Sequence, residues 1–277
     1  MALFLRSLYG YSEFSGYENN MKTDGKTSPI FLWPELTSLE TEGESILDEN
    51  GWYRDVVNPL ILPFLPDAVK ANGSCILISP GGSYRILDWV SHVERLAELF
   101  TPLGYAVVGL KYRVSEKKDL SGHALTDLHR AIDVIHKHAD DWKIDRSRLI
   151  GLGYSAGSNL LLRHACAGSD DDAKGLSEPP RLPFIALLCC WPHQREPESY
   201  NISPKTSAVF FCTTDEDKVA PTLFSESIAE KMDNEGVQVT IKSFPQGGHL
   251  AFNFGDQGPE VDWAPAFFAW LKDHDLA

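Results

Sequence analysis

The sequence predicts an α/β protein with a mainly parallel central sheet flanked by helices, and three observations carry that expectation. Short apolar runs alternate with longer amphipathic stretches over most of the chain, the pattern of strands joined by helical crossovers. Several runs are apolar at nearly every position, which implies burial on both faces of a sheet. Glycines stand just past helical stretches that lead into strands, at Gly104 and Gly236.

Residues 10–50 are polar and weakly periodic, and read as an arm with an early edge strand around IFLWPEL rather than as a second domain. VVNPLILPFLP and SCILISP then read as strands, and VSHVERLAELFTPLG as a helix closed by Gly104. YAVVGLKY is a strand, followed by the amphipathic helix ALTDLHRAIDVIHKHADDW, whose His129, His136 and His138 are expected to be solvated. SRLIGLG gives a strand and SAGSNLLLRHACAG a helix, with His164 a packing or surface residue. SDDDAKGLSEPPR, Ser169 to Arg181, is an acidic loop. Its Asp170, Asp171 and Asp172 are consecutive, so they do not converge on one point, and a solvated crossover is expected rather than a cation site. FIALLCCW, SAVFFCTT and VQVTIKSFP complete the strands, LFSESIAEKMDNEG is the helix between the last two, and WAPAFFAWLKDH is a terminal helix. There is no internal repeat, and residues 1–277 are expected to form one domain.

With 277 residues, 43% hydrophobic and 23% charged, the chain is long and apolar enough for a full-sized core. A net charge of −14 repels nucleic acid and anionic membrane surfaces, so neither is an expected partner. The opening MALFLRSLYGYSEF is interrupted by Arg6 and lacks a sustained apolar core, so no signal peptide is expected. No apolar run is long enough to span a bilayer. The five cysteines are an odd number; Cys75, Cys189, Cys190 and Cys212 fall in strand-like segments and Cys166 in a helix. Buried reduced thiols in a cytoplasmic protein fit this better than a disulfide framework. Neighbouring Cys189 and Cys190 face opposite sides of a strand and make no metal site. With no clustered ligand spacing and no GxxxxGK[ST] loop, no cofactor is expected.

One stretch carries chemistry. In IGLGYSAGSNL, Ser155 stands between Gly153-Tyr154 and Ala156-Gly157, after a strand and before a helix, the strand-turn-helix setting of a nucleophile elbow. A serine hydroxyl is a poor nucleophile at neutral pH and needs a base, an orienting acid and donors for the oxyanion. The glycine-rich turn Gly81-Gly82-Ser83-Tyr84 directly after SCILISP brings backbone amides of Gly82 and Ser83 toward that of Ala156 as oxyanion donors. Of nine histidines, only His249, in VTIKSFPQGGHL, sits on a loop directly after a strand near the C-terminus, and it is the candidate base. Asp215, Glu216 and Asp217 follow SAVFFCTT, and any of the three stands in the right chain order for the acid.

These motifs resemble the α/β-hydrolase fold, and within it the esterases related to acetyl xylan, feruloyl and hormone-sensitive-lipase-like enzymes. ISPGGSY resembles their glycine loop, LGYAVVGLKYRV the strand after it, DRSRLIGLGYSAGSNL the elbow, and DKVAP and PQGGHLAF the acid and histidine loops. The likeness runs from about Val56 to the terminal AFFAWLKDH. The family pattern Asp-x-x-Val-Pro, counted back from Pro221, falls on Asp217, with Asp215 the alternative. Two positions depart from the family: Ser83 replaces a third glycine, and Leu250 follows His249 where glycine is frequent. The connection WPHQREPESYNISPKT is short and leaves little chain for a lid, so a small or minimal lid and a small pocket are expected, with Tyr84, Tyr154, Trp191 and Leu250 as candidate pocket residues. The resemblance implies a serine carboxylesterase acting on a small acyl ester, an acetylated sugar or natural product among the candidates. Amide hydrolysis, acyl transfer or carbon-carbon cleavage by the same triad, and a catalytically silent binding protein, are the alternatives.

Overall fold

The computed structural model describes residues 28–34, 47–166, 181–254 and 259–277. The acidic run Asp170 to Asp172 and much of the N-terminal arm lie outside the described residues. The strands in chain order are β1 (Ile30–Phe31), β2 (Trp52–Arg54), β3 (Leu60–Phe64), β4 (Cys75–Ser79), β5 (Ile86–Asp88), β6 (Ala106–Lys111), β7 (Leu149–Tyr154), β8 (Phe184–Leu188), β9 (Ala208–Thr214) and β10 (Val239–Phe244). The helices are α1 (Arg95–Phe100), entered through a π-helical turn at Val90–Glu94, then α2 (Ser121–His138), α3 (Ala156–Ala165), α4 (Thr222–Asn234) and α5 (Ala264–Asp273).

Eight strands form one sheet in the order β1-β3-β6-β4-β7-β8-β9-β10. β3 is antiparallel to both β1 and β6, and every other pairing is parallel. From β4 the chain first moves outward to β6 and then returns to place β7 on the other side of β4, with Ser79 opposite Gly153. The connections after β4 and β7 therefore diverge, which opens a crevice at the carboxyl ends of these strands.

Burial follows the apolar runs. On β4, Cys75 and Leu77 join one hydrophobic cluster while Ile76 and Ile78 join another. The first cluster takes in residues of α2, α3 and α4, and the second takes in α1 and α5, so the sheet lies between two helical layers. All five cysteines are free and buried. At the edge, β10 pairs with β9 on one side alone and leaves Thr240 to Ser243 exposed, which is why that run carries polar residues.

The structure adds a small antiparallel ribbon of β2 and β5 that no periodic signal announces, because each strand has three residues. Among the described residues, no helix is long and apolar enough to cross a membrane.

The expectation that the histidines of α2 are solvated is overturned: His136 and His138 are half-buried. His129 is buried at 3% exposure, not solvated, because α2 packs against α3 and sets its imidazole edge-on to that of His164, with ring centroids 5.1 Å apart. Burial lowers His129 to about 4, with Asp133 pulling upward and Arg163 downward. It lowers His164 to about 3, helped by His129 and Arg181. Both are neutral when folded but take up protons below about pH 6.5 when unfolded. Their contribution to stability is therefore complete above that pH and is lost as pH falls toward 4 and 3. Urea unfolding at pH 7 and pH 5 is expected to differ by about 2 kcal/mol for each histidine, at a limiting slope of about 1.4 kcal/mol per pH unit. A His129→Gln variant with the same pH dependence as the parent would contradict this.

Candidate active site

Ser155 is the turn between β7 and α3, with φ 50° and ψ −112°, a conformation that L-residues adopt only under constraint. Its amide donates to Leu188 O at 3.0 Å and its carbonyl accepts from Asn159 N at 3.0 Å, so strand β8 and helix α3 hold the turn from both sides. The flanking glycines answer to space. A Cβ on Gly157 would lie 1.9 Å from Ser79 O, and one on Gly153 would lie 2.6 Å from the Gly157 carbonyl carbon. The helix must pass that close to β4 for the serine to stand at the sheet's edge.

His249, in the loop after β10, reaches back across two strands to the elbow. Its Nε2 lies 2.9 Å from Ser155 Oγ and its Nδ1 lies 2.7 Å from Asp217 Oδ2. Asp217 is buried, and its Oδ1 accepts from the amides of Val219 and Ala220 at 2.8 Å each. Burial pushes its carboxyl upward, but the His249 hydrogen bond, those amides and the His249 charge together outweigh it and hold the group below the ordinary carboxylate range. The two neighbouring carboxylates are engaged elsewhere: Asp215 accepts from Ser243 Oγ at 2.5 Å, and Glu216 from the Gly247 amide at 3.0 Å.

The turn after β4 faces the elbow. Gly82 has φ 136°, and a Cβ there would sit 2.2 Å from Ile86 O, so only glycine fits. The Gly81 amide donates to His92 Nδ1 at 3.1 Å, whereas the amides of Gly82 and Ser83 donate to no group among the described residues. Ala156 is the first residue of α3, where an amide has no partner within the helix. Of the nine non-glycine residues with positive φ among the described residues, six, Ser83, Tyr84, Ser155, Cys189, His193 and Gln194, lie in the loops around this point. Strain is concentrated where the chain turns the site together.

The four candidate pocket residues are placed differently. Trp191 is half-buried beside the elbow, its amide 3.4 Å from Ser155 O, and its ring packs against His193 and Tyr84 at centroid distances of 4.6 and 6.2 Å. Tyr84 is buried beneath, its hydroxyl donating to Asn159 Oδ1 at 2.9 Å, and Asn159 Nδ2 donates to Tyr200 Oη at 3.1 Å. Leu250 stands on the rim at 69% exposure. Tyr154 is a correction: its ring has no exposure and stacks on His92 inside the second hydrophobic cluster, because it ends β7 on the face that Ile150 and Leu152 bury in that cluster. It offers no surface to a ligand. His92, Asn159 and His193 were not singled out from the sequence, since each sits in a helix or loop pattern with no local mark of its distant partners.

Residues 64–180 match the family model described as BD-FAE. Over 255 residues the chain is 27% identical to Endo-1,4-beta-xylanase B of Butyrivibrio fibrisolvens, covering 78% of this chain and 39% of that protein. Over 199 residues it is 24% identical to an arylesterase of Saccharolobus solfataricus, covering 68% of this chain and 64% of that protein. The chain thus spans less than two thirds of the length of either curated relative. Among solved structures it is similar to the acetyl ester-xyloside bifunctional hydrolase from Caldicellulosiruptor lactoaceticus, with TM-score 0.68, 21% identity, and 90% and 97% of the two chains covered. It is also similar to MGS-M1, an alpha/beta hydrolase enzyme from a Medee basin deep-sea metagenome library, with TM-score 0.65, 19% identity, and 83% and 96% covered. The chain has the α/β-hydrolase fold, and these matches support the likeness to esterases drawn from its motifs.

Proposed function

We propose that this protein is a carboxylic ester hydrolase that cleaves a small acyl ester through an acyl-enzyme. The observation that carries the reading is the unbroken line from Ser155 Oγ through His249 to Asp217, at 2.9 and 2.7 Å, on a strained elbow. In this reading Ser155 attacks the ester carbonyl while His249 takes its proton and then gives it to the leaving alcohol. Asp217 keeps the His249 proton on Nδ1, leaving Nε2 free to act as base. The amides of Gly82, Ser83 and Ala156 receive the oxyanion. Water, activated by the same histidine, then releases the acid.

The substrate side rests on the connection from β8 to β9. Residues 189–207 contain one regular element, the 3₁₀ turn Pro197–Ser199, which leaves little chain for a deep acyl tunnel or a large lid. Trp191, over Tyr84 and His193, forms one wall of a short pocket in this account. An acetylated sugar is a suitable substrate class, in keeping with the acetyl ester-xyloside hydrolase among the similar structures. The net charge of −14 and the five free buried thiols go with a reduced, cytoplasmic setting and a small uncharged substrate rather than nucleic acid or membrane.

The test is a screen of purified protein against p-nitrophenyl esters of rising chain length and acetylated sugars, after exhaustive chelation, because the steps above move only protons and the acyl group. Turnover is expected to be fastest on acetyl to butyryl esters, with a burst of p-nitrophenol matching the enzyme present. Faster turnover of long-chain esters would remove the short pocket, and loss of activity restored by a metal would remove the mechanism.

A further inference from the structure

We propose that His92 is a positioning residue that ties together the three loops carrying the oxyanion amides, the nucleophile and the base. The proposal rests on the ester-hydrolase reading for its effect on turnover, and on geometry alone for the tie itself. His92 lies in the π-helical turn Val90–Glu94 ahead of α1 and is buried at the sheet's carboxyl edge. Two hydrogen bonds and a ring stack leave the imidazole, and its Nε2 also lies 3.7 Å from Asp88 Oδ2. Nδ1 accepts the Gly81 amide at 3.1 Å, at the head of the glycine turn. Nε2 lies 2.9 Å from Asn253 Oδ1, four residues beyond His249. The ring face stacks on Tyr154, the residue before Ser155, at 4.0 Å between centroids and 8° between planes.

These contacts define one protonation state. An imidazole that accepts at Nδ1 and meets an amide oxygen at Nε2 is neutral, with its proton on Nε2 and donated to Asn253 Oδ1. Asn253 Nδ2 in turn donates to Asp88 Oδ2 at 3.2 Å, which fixes which way the amide faces and anchors it to β5. Burial holds His92 below its ordinary range, against the upward pull of Asp88 and the Asn253 hydrogen bond, so the neutral acceptor persists. The packing has no slack either: a Cβ on Gly81 would sit 3.3 Å from His92 Cε1, 3.3 Å from Ser155 Cβ and 2.9 Å from Tyr154 O.

Within the turn, the unit carrying the Gly82 amide is held by Asp88 N donating to Gly81 O at 3.0 Å, and the unit carrying the Ser83 amide by Arg85 and Ile86 N donating to Gly82 O at 2.9 and 3.0 Å. The His92 bond to the Gly81 amide fixes where this turn starts against Tyr154 and Asn253, and with it where the Gly82 and Ser83 amides stand relative to the elbow. Donors aimed at an oxyanion act on the transition state and hardly on substrate binding, so the tie is read in kcat and not in KM.

The experiment compares His92→Phe, which keeps the stack and removes both hydrogen bonds, with His92→Gln, whose amide can accept and donate, and with Asn253→Ala at the far end of the tie. Turnover and hydrogen-deuterium exchange of the segments 80–86 and 247–254 are measured on each. His92→Phe is expected to lower kcat by about 10²-fold to 10³-fold, the scale of a lost oxyanion donor, with KM within about threefold. His92→Gln is expected to recover most of that loss. Asn253→Ala is expected to speed exchange in 80–86, although the Asn253 amide hydrogen-bonds to His92 and Asp88 outside that segment. Because Asn253 is half-buried, this variant judges the tie if His92→Phe does not fold. Exchange in 80–86 at the parent rate in Asn253→Ala, or a His92→Phe kcat near that of the parent, would overturn the proposal. A parent protein that turns over no ester would overturn the proposed function instead, and the exchange data still decide the tie.

Discussion

Ser155→Ala is expected to lower ester turnover by about 10⁶-fold, the loss measured for a triad serine in a well-studied protease, while leaving the fold intact. Both halves of that expectation come from where the oxygen sits. Ser155 Oγ contacts His249 Nε2 at 2.9 Å, and the turn itself is held by backbone bonds to Leu188 and Asn159 that alanine keeps. Alanine also has the same Cβ as serine, so the φ of 50° costs neither residue more than the other. Removing Oγ takes away the atom that forms the acyl-enzyme in the proposed mechanism, and nothing that supports the elbow. The check is turnover of p-nitrophenyl acetate by parent and variant with matched thermal melts, together with fluorophosphonate labelling followed by peptide mapping. A folded variant with near-parent turnover, or labelling at another residue, would remove Ser155 from the mechanism.

Asp217→Asn is expected to lower kcat by about 10⁴-fold at neutral pH, and Asp215→Asn by no more than a few-fold. The hydrogen bonds explain the size of the difference. In the parent, Oδ1 of Asp217 takes the Val219 and Ala220 amides and Oδ2 takes His249 Nδ1. An asparagine keeps its oxygen toward the two amides, which places its NH₂ against His249 Nδ1. That nitrogen must then become an acceptor, the ring proton moves to Nε2, and the histidine can no longer take the proton of Ser155. Asp215 bonds to Ser243 at the exposed end of the loop and has no path to the imidazole. The lowered pKa of Asp217 adds a sign: the carboxylate is already ionised below its ordinary range, so it sets no limb of the activity profile near neutral pH. Kinetics of the two variants on one ester decide the matter, and the reverse ranking would give the role to Asp215.

The outcome for each residue follows the range over which its signal is written. Among the described residues, the strands β3, β4, β6, β7, β8, β9 and β10 and the short strand Ile30–Phe31 lie where apolar runs place them, as do the helices α1 to α5. Each depends on a pattern contained within about twenty residues. Ser155 is marked the same way, since Gly153 and Gly157 stand at fixed offsets for a steric reason local to the turn. The order Ser155, acid, His249 is also written along the chain.

What the linear pattern does not contain is the partner of a side chain far away in sequence. Three adjacent carboxylates after β9 look alike by residue type, and the sequence points to Asp217 only through its likeness to the family pattern; in the structure its own loop amides turn it inward to His249, 32 residues on. His129 sits on an amphipathic helix whose polar residues suggest solvent, and only the approach of α3 buries it. Tyr154 precedes Ser155 by one residue yet points into the core, because it is the last residue of β7, on the face of Ile150 and Leu152, whereas Ser155 stands on the turn beyond the strand. His92 joins Gly81, Tyr154 and Asn253 across as many as 161 residues of chain. The elements, the elbow and the chain order were set by local sterics and by hydrophobic periodicity, which are properties of neighbouring residues. The choice among carboxylates, the burial of histidines and the joining of the loops were decided by tertiary structure, because hydrogen bonding and desolvation depend on which distant groups meet in space.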